Sequence, residues 1–317
     1  AISQARYRLG AKPFEQVFKT LCRPLATPDD TYAFRFGLRL ICLDATTETD
    51  ADTPANASYF GRSHNKYCPD AYPSCRIAYL CEAGTHAIFD AAIAPLNCAE
   101  TTLAWRLLRT IQANMLVMFD AGLTSFDFVN RVLSANSHVL APAHARSKHK
   151  PCQFLADGTY LSWMYPSDKS RCSSASPVLI RVICYRIQDP ASPHHGKTKR
   201  LITSLLDSVL YPVIDLIELY HERWEIELTI DEIDTHQRYP NRPFRSQKPL
   251  GVLQEFYAML LAHYIVRVFI FQTAQVYHLD PDSLSFTFSL HIMTDAMVYF
   301  QLFSPDDHPH LFMWLYA

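Results

Sequence analysis

The sequence predicts an α/β fold: a mixed sheet flanked by helices, with a β-rich insertion before the last core strand and helix. Three observations predict it. Apolar runs of strand length recur in the first half of the chain, and two of them stop at an aspartate. Helical periodicity separates these runs and then dominates the last third. Between the two regimes lies a proline-punctuated segment rich in β-branched and aromatic residues. The resulting order, β-β-β-α-β-α, an insertion, then β-α-α, is that of an α/β sheet.

Each element has its own justification. Residues 1–36 form an N-terminal helical segment, with a helical pattern over 13–21 and a turn region containing Pro24, Pro28, Asp29 and Asp30. Residues 37–137 form the first part of the core. The apolar run 37–43 reads as a strand ending abruptly at Asp44. The polar stretch 46–73 is long for a loop, which marks function or an excursion from the core. Strands over 74–82 and 86–94 flank Ala83-Gly84-Thr85, a hairpin turn. A helix over 100–112, a strand over 115–119 stopped by Asp120, and a helix over 125–135 complete this part. Residues 138–200 form the β-rich insertion, with strand-like runs at 158–165 and 178–187. Residues 201–245 return to the core through a strand at 201–206 and a helix over 213–237, ended by Pro240 and Pro243. Residues 246–317 are a helical C-terminal region led by a long apolar helix over 250–277.

Composition narrows the function classes. The 317 residues are enough for about two domains. With 49% hydrophobic and 19% charged residues, the chain can bury a sizeable core. It has 8 glycines, no G-x-G-x-x-G, and a Gly196-Lys197-Thr198 that lacks the upstream glycine of a phosphate loop. Nucleotide-binding folds are therefore disfavoured. Nine cysteines contain no C-x-x-C pair, and the group Cys68, Cys75 and Cys81 suits neither a zinc ribbon nor a redox pair. Buried reduced thiols of a cytoplasmic protein fit better. The apolar run 256–271 contains His263 and Arg267 and is shorter than the ~20 residues that span a bilayer. It reads as core packing, and no membrane partner is expected.

The net charge is −2, but the charge is unevenly placed. Residues 138–200 carry 10 Lys/Arg against 3 Asp/Glu, leaving 19 basic and 28 acidic residues elsewhere. A basic segment in an acidic body suits contact with a polyanion, although a solvated face has the same composition.

Three groups carry candidate chemistry. Asp44 and Asp120 stand at the ends of apolar strands, where α/β sheets gather ligands and where aspartates also simply form turns. Tyr220, Arg223 and Glu227 lie at i, i+3 and i+7 of one helix and share a face. Seven acids between Glu218 and Asp234 leave room for a solvated charged helix instead. There is no G-x-S-x-G for a serine nucleophile.

The string Tyr220-His221-Glu222-Arg223-Trp224-Glu225-Ile226-Glu227 resembles the Y-x2-R-x3-E-x6-K signature of bacterial insertion-sequence transposases of the DDE class. Asp44-Ala45-Thr46-Thr47 with 52–56 and 60–62 resembles the segment around that family's first catalytic aspartate, and 118–122 the segment around its second. The stretches 243–250 and 260–264 are also similar, so the resemblance spans about 13–288. It implies a ribonuclease-H-like catalytic domain in which Asp44, Asp120 and Glu227 bind two Mg2+ ions, or Mn2+ in their place. It also implies that Tyr220, Arg223 and Trp224 contact DNA. The implied activity is cleavage at transposon ends and strand transfer into target DNA. The implied partners are double-stranded DNA, as terminal inverted repeats and target, and a second copy of the chain on that DNA, in the bacterial cytoplasm at the nucleoid. Two other readings share these residues: an end-binding remnant with weakened catalysis, and a metal-dependent nuclease without strand transfer.

Two positions depart from the family. Asp234 stands where the signature has lysine, and Ala121 where arginine is frequent. On a regular helix Asp234 lies seven residues beyond Glu227 and faces the DNA end, so lysine there is expected to tighten end binding. The segment that binds terminal repeats in related proteins is expected to be missing or very short.

Overall fold

A computed structural model describes residues 2–63, 71–166, 176–188, 195–238, 242–308, 310 and 315. Among them, ten strands form one sheet: β1 (Phe34–Arg35), β2 (Leu38–Thr49), β3 (Ser74–Glu82), β4 (Ala87–Pro95), β5 (Met115–Met118), β6 (His138–Pro142), β7 (Pro151–Phe154), β8 (Tyr160–Met164), β9 (Val178–Arg186) and β10 (Thr198–Thr203). The order is β4-β3-β2-β5-β6-β10-β9-β8-β7, with β1 beside β2. The β4-β3-β2 pairings are antiparallel, whereas β2-β5 and β5-β6 are parallel. The sheet is mixed, as the sequence predicts.

Its centre is buried on both faces. Leu40 and Cys42 of β2 point to one side, with Phe18, Tyr79, Phe256 and Leu260. Ile41 and Leu43 point to the other, with Leu107, Phe119, Phe128 and Val132. This alternation inside an unbroken apolar run is what a strand covered on both faces requires. On the first side lie α2 (Lys12–Leu21), α6 (Val213–Glu222), α7 (Trp224–Asp231) and α8 (Pro249–Tyr277). On the second lie α4 (Glu100–Leu107) and α5 (Phe126–Leu133), the latter capped by Ser125, which accepts from Phe128 N–H. Two further helices are α1 (Ile2–Leu9) and α3 (Pro54–Phe60), and α9 (Phe286–Leu302) follows α8. Gly84 at φ +77° makes the β3–β4 turn, where a Cβ would run into the Tyr32 carbonyl.

α8 is long and apolar enough by composition to cross a membrane, but it is a core helix here. Its buried Phe256, Leu260 and Ile270 pack into the protein, and its buried Arg267 and His263 bond to Glu232.

Several elements differ from expectation. β2 runs five residues past Asp44, because its ladder with β3 continues to Thr49 after burial has ended. The helix expected over 100–112 stops at Leu107 and tightens into a 3₁₀ turn. His138–Pro142, at the head of the basic segment, pairs in parallel with β5, and β10 joins it to β9, so the segment continues the same sheet. The helix expected over 213–237 is three pieces. It breaks at Arg223, where i→i+3 bonds from Arg223 N to Tyr220 O and from Ile226 N to Arg223 O replace the α pattern. After α7 it widens into a π-helical turn over Glu232–Gln237.

Candidate active site

Parallel pairing aligns the two aspartates. Cys42 lies opposite Met118, and two residues further along each strand come Asp44 and Asp120. Asp44 continues the parity of Leu40 and Cys42, so its carboxylate leaves the sheet on the side covered by α6 and α7. Its Oδ1 accepts from Ala45 N–H at 2.8 Å. Asp120 lies two residues past β5 and caps the next turn by accepting from Ala121 N–H at 2.6 Å.

The glutamate helix comes to meet them. Arg223 Nη1 donates to Asp44 Oδ2 at 2.9 Å, and Nη2 donates to Glu227 Oε1 at 2.8 Å. One guanidinium thus joins the two carboxylates by its fork. Burial pushes Asp44 above the ordinary carboxylate range and Asp120 adds to the rise, while Ala45 N–H and Arg223 oppose it. Burial also raises Tyr220, whose ring oxygen feels Arg223 and Asp120. Asp44 and Arg223 are mostly covered, whereas the Glu227 side chain is 51% exposed and Trp224 lies open on the surface. A fourth acid stands nearby: burial and then Asp44 push Glu100 up, and Asp120 contributes too. Nothing in the sequence marked Glu100, which simply opens α4.

The motif stretches around this site brace one another. Thr53 caps α3 by accepting from Asn56 N–H and donates to Gln247 O at 2.9 Å. Asn56 Nδ2 donates to Ala51 O at 3.0 Å and to Ser246 O at 2.9 Å. The segments 52–56 and 243–250, far apart in sequence, therefore fold as one support beneath the outer end of β2.

Asp234 does not face outward. It lies within the π-helical turn, 3.6 Å from Arg238, where burial and then the charge of Glu48 push its carboxyl up. Arg238 in turn donates to Glu48 at 2.6 Å. The regular-helix expectation for Asp234 is thus overturned. Within the basic segment Arg181 is buried, donating to Thr159 Oγ1 at 2.9 Å and to Tyr211 O at 2.7 Å, and it pairs with Asp157. Lys169, Arg171, Cys68 and His194 lie outside the described residues. Cys42, Cys75 and Cys81 are buried free thiols.

Sequence reading missed a second polar group altogether. His86, Glu225 and Asp282 bring one ligand atom each to within 4.8 Å of one another. No spacing motif links a hairpin turn, a helix and an interhelical turn.

The Transposase DDE domain family matches residues 35–265, most of the chain and every residue of the site. The chain belongs to that family. Transposase function goes with membership in it, and the family is generally divalent-metal dependent. Transposase InsG for insertion sequence element IS4, from Escherichia coli K12, is 29% identical over 98% of this chain and 70% of its own length. InsZ from the same organism is 32% identical over 45% of this chain and 49% of its own. Among solved structures, a piggyBac transposase synaptic complex with hairpin DNA aligns with a TM-score of 0.51 at 10% identity. That alignment covers 86% of this chain and 55% of the other, so the chain spans about half the length of that relative. The fold of this DDE chain is accordingly ribonuclease-H-like.

Proposed function

We propose that this chain cleaves DNA at the ends of a transposon and joins the freed 3′-hydroxyl to target DNA, with Asp44, Asp120 and Glu227 holding two Mg2+ ions. The observation that carries the reading is the Arg223 fork between Asp44 and Glu227. A cation already sits between two of the three carboxylates, which supports their suitability for metal. Ions held there would supply an activated attacking oxygen and a stabilised leaving oxygen for in-line displacement.

The chain's own residues do the positioning. Asp44 lies within β2, Asp120 two residues past the end of its parallel neighbour β5, and Glu227 on α7 is joined to Asp44 through Arg223. Arg223 and Tyr220 stand beside the acids, where a guanidinium fork can grip a phosphate. Trp224 is exposed next to them and offers a face to a base. Arg146, Lys148, Lys150, Arg186 and Lys197 are exposed on the basic segment 138–200 and suit the flanking backbone. The reading includes terminal inverted repeats as substrate, a dimer on DNA, and action in the bacterial cytoplasm at the nucleoid.

The test is nicking of a duplex that carries the element's own ends, followed by a search for joined products. Mg2+-dependent nicks and joints, both abolished by Asp120→Asn, are expected. Nicks without joints would favour a nuclease. End binding without nicks would favour a catalytically weakened remnant.

A further inference from the structure

The acidic α7 carries a second side chain of interest, on a different neighbourhood from Glu227. Glu225 reaches back to the β3–β4 turn and accepts from Gly84 N–H. His86 leaves the same turn and is buried to 3% exposure. Its Nδ1 lies 2.9 Å from Glu232 Oε1. Its Nε2 is buried without a hydrogen-bond partner and lies 3.4 Å from Asp282 Oδ1, in the turn Pro281–Ser283 between α8 and α9. A carboxylate on one ring nitrogen selects the tautomer that leaves a lone pair on the other, the arrangement that orients metal-binding histidines. Arg267 bonds to Glu232 and its Nη2 also contacts His86 Nδ1; with the Nδ1 proton donated to Glu232, Nε2 keeps its lone pair toward Asp282.

We propose that His86, Glu225 and Asp282 form a second divalent-metal site, separate from the catalytic carboxylates. It would take a borderline ion such as Zn2+. One imidazole and two carboxylates are a Zn2+ donor set, with bonds of about 2.0–2.2 Å, whereas Mg2+ avoids imidazole nitrogen. The ligand atoms already lie within 4.8 Å of one another, so side-chain adjustment alone can close them on one ion. Glu222 and Asp280 add negative charge at Glu225, against the positive charge that Arg267, paired with Glu232, still brings to His86 and Asp282; Arg35 is paired with Asp215. Cavities of about 260 Å³ and 300 Å³ open on either side of Asp282 and provide entry. The site spans three pieces distant in sequence, namely the β3–β4 turn, the helix of Glu227, and the turn after α8. Its chemical role is to clamp α7 two residues from the catalytic glutamate.

The inference goes beyond the catalytic reading, and its test removes that site first. The full chain carrying Asp44→Asn and Glu227→Gln is titrated with Co2+ and followed by visible absorption, with Zn2+ stoichiometry measured by equilibrium dialysis. One ion per chain with a d–d spectrum typical of nitrogen and oxygen ligands is expected, displaced by Zn2+. Adding Asp282→Asn or Glu225→Gln should weaken it by about tenfold or more, with an unchanged far-ultraviolet circular dichroism spectrum. A folded Asp44→Asn/Glu227→Gln chain that binds neither ion overturns the proposal. Binding that Asp282→Asn and Glu225→Gln both leave intact overturns it equally. Because nicking plays no part, the catalytic reading can fail while this one stands, and the reverse.

Discussion

Arg223 and Asp44 form an ion pair at 2.9 Å across 179 residues of sequence, and the other arm of the same guanidinium holds Glu227 at 2.8 Å. The positive charge between these carboxylates occupies the ground a metal would hold. On the proposed reading a metal would compete with Arg223 for the same oxygens, and binding it would free the guanidinium for a phosphate. Arg223→Ala should raise Mn2+ affinity roughly tenfold, the worth of about 1.4 kcal/mol, while lowering DNA nicking by at least as much. Electron paramagnetic resonance of free Mn2+ measures the first effect, and a plasmid nicking assay the second. Weaker Mn2+ binding by Arg223→Ala would show that the arginine builds the site rather than guarding it.

Asp234→Lys follows from the neighbours of Asp234. The side chain belongs to a half-buried group with Glu48 and Arg238, and lysine there would set a second cation beside Arg238. The substitution should cost about 1–3 kcal/mol of stability and leave end-binding affinity flat or lower. Urea denaturation and end-binding titration check the two halves. Tighter end binding would restore the outward-facing reading.

The acids beneath the outer end of β2 give the protein a pH signature. Burial pushes Asp50 up to about 7, and burial together with Glu48 pushes Asp234 up to about 8. Both folded values lie above the unfolded value near 4, so the folded chain binds more protons between them. Their contribution to stability is full below pH 4 and declines as pH rises toward 8. Asp50→Asn should flatten that decline and gain on the order of 1 kcal/mol or more at pH 8 relative to pH 5. Thermal melts of both proteins at the two pH values measure it. An equal slope in wild type and variant would remove Asp50 from the account.

Much of the fold was legible because its signals are local. Met115–Met118 is an apolar run that only a strand can use, Gly84 sits where a hairpin turn needs positive φ, and the 29 residues of α8 read as one helix end to end. The strand placement of Asp44 and Asp120 was legible for the same reason. What escaped depends on partners distant in sequence. β2 outruns Asp44 because β3 supplies hydrogen bonds after the core has ended. The break at Arg223 serves the reach of its guanidinium to Asp44, which no periodicity reports. Arg181 looked like surface charge until Asp157, Thr159 and Tyr211 gathered round its guanidinium. His86 looked like any turn residue, since Glu225 and Asp282 approach it only in three dimensions.

The basic segment yields the last prediction, and its sheet pairing dictates the form of the experiment. Deleting 138–200 would remove β6, the parallel neighbour of β5, and half of β10, so the loss of binding would report unfolding. Charge neutralisation avoids that. Lys148, Lys150 and Lys197 are exposed, so replacing them with glutamine leaves the sheet and the Arg181 network intact. Each lysine that neutralises a phosphate releases about 0.9 counterion from duplex DNA. The triple variant should therefore lower the slope of log affinity against log salt by about 2 to 3 units, and weaken binding most at low salt. The effect should be the same for end-containing and random duplexes, because phosphate contacts carry no sequence information. Fluorescence anisotropy at four salt concentrations measures it. A slope within experimental error of the wild-type value would mean that this face is merely solvated, and that the DNA path runs over other parts of the sheet.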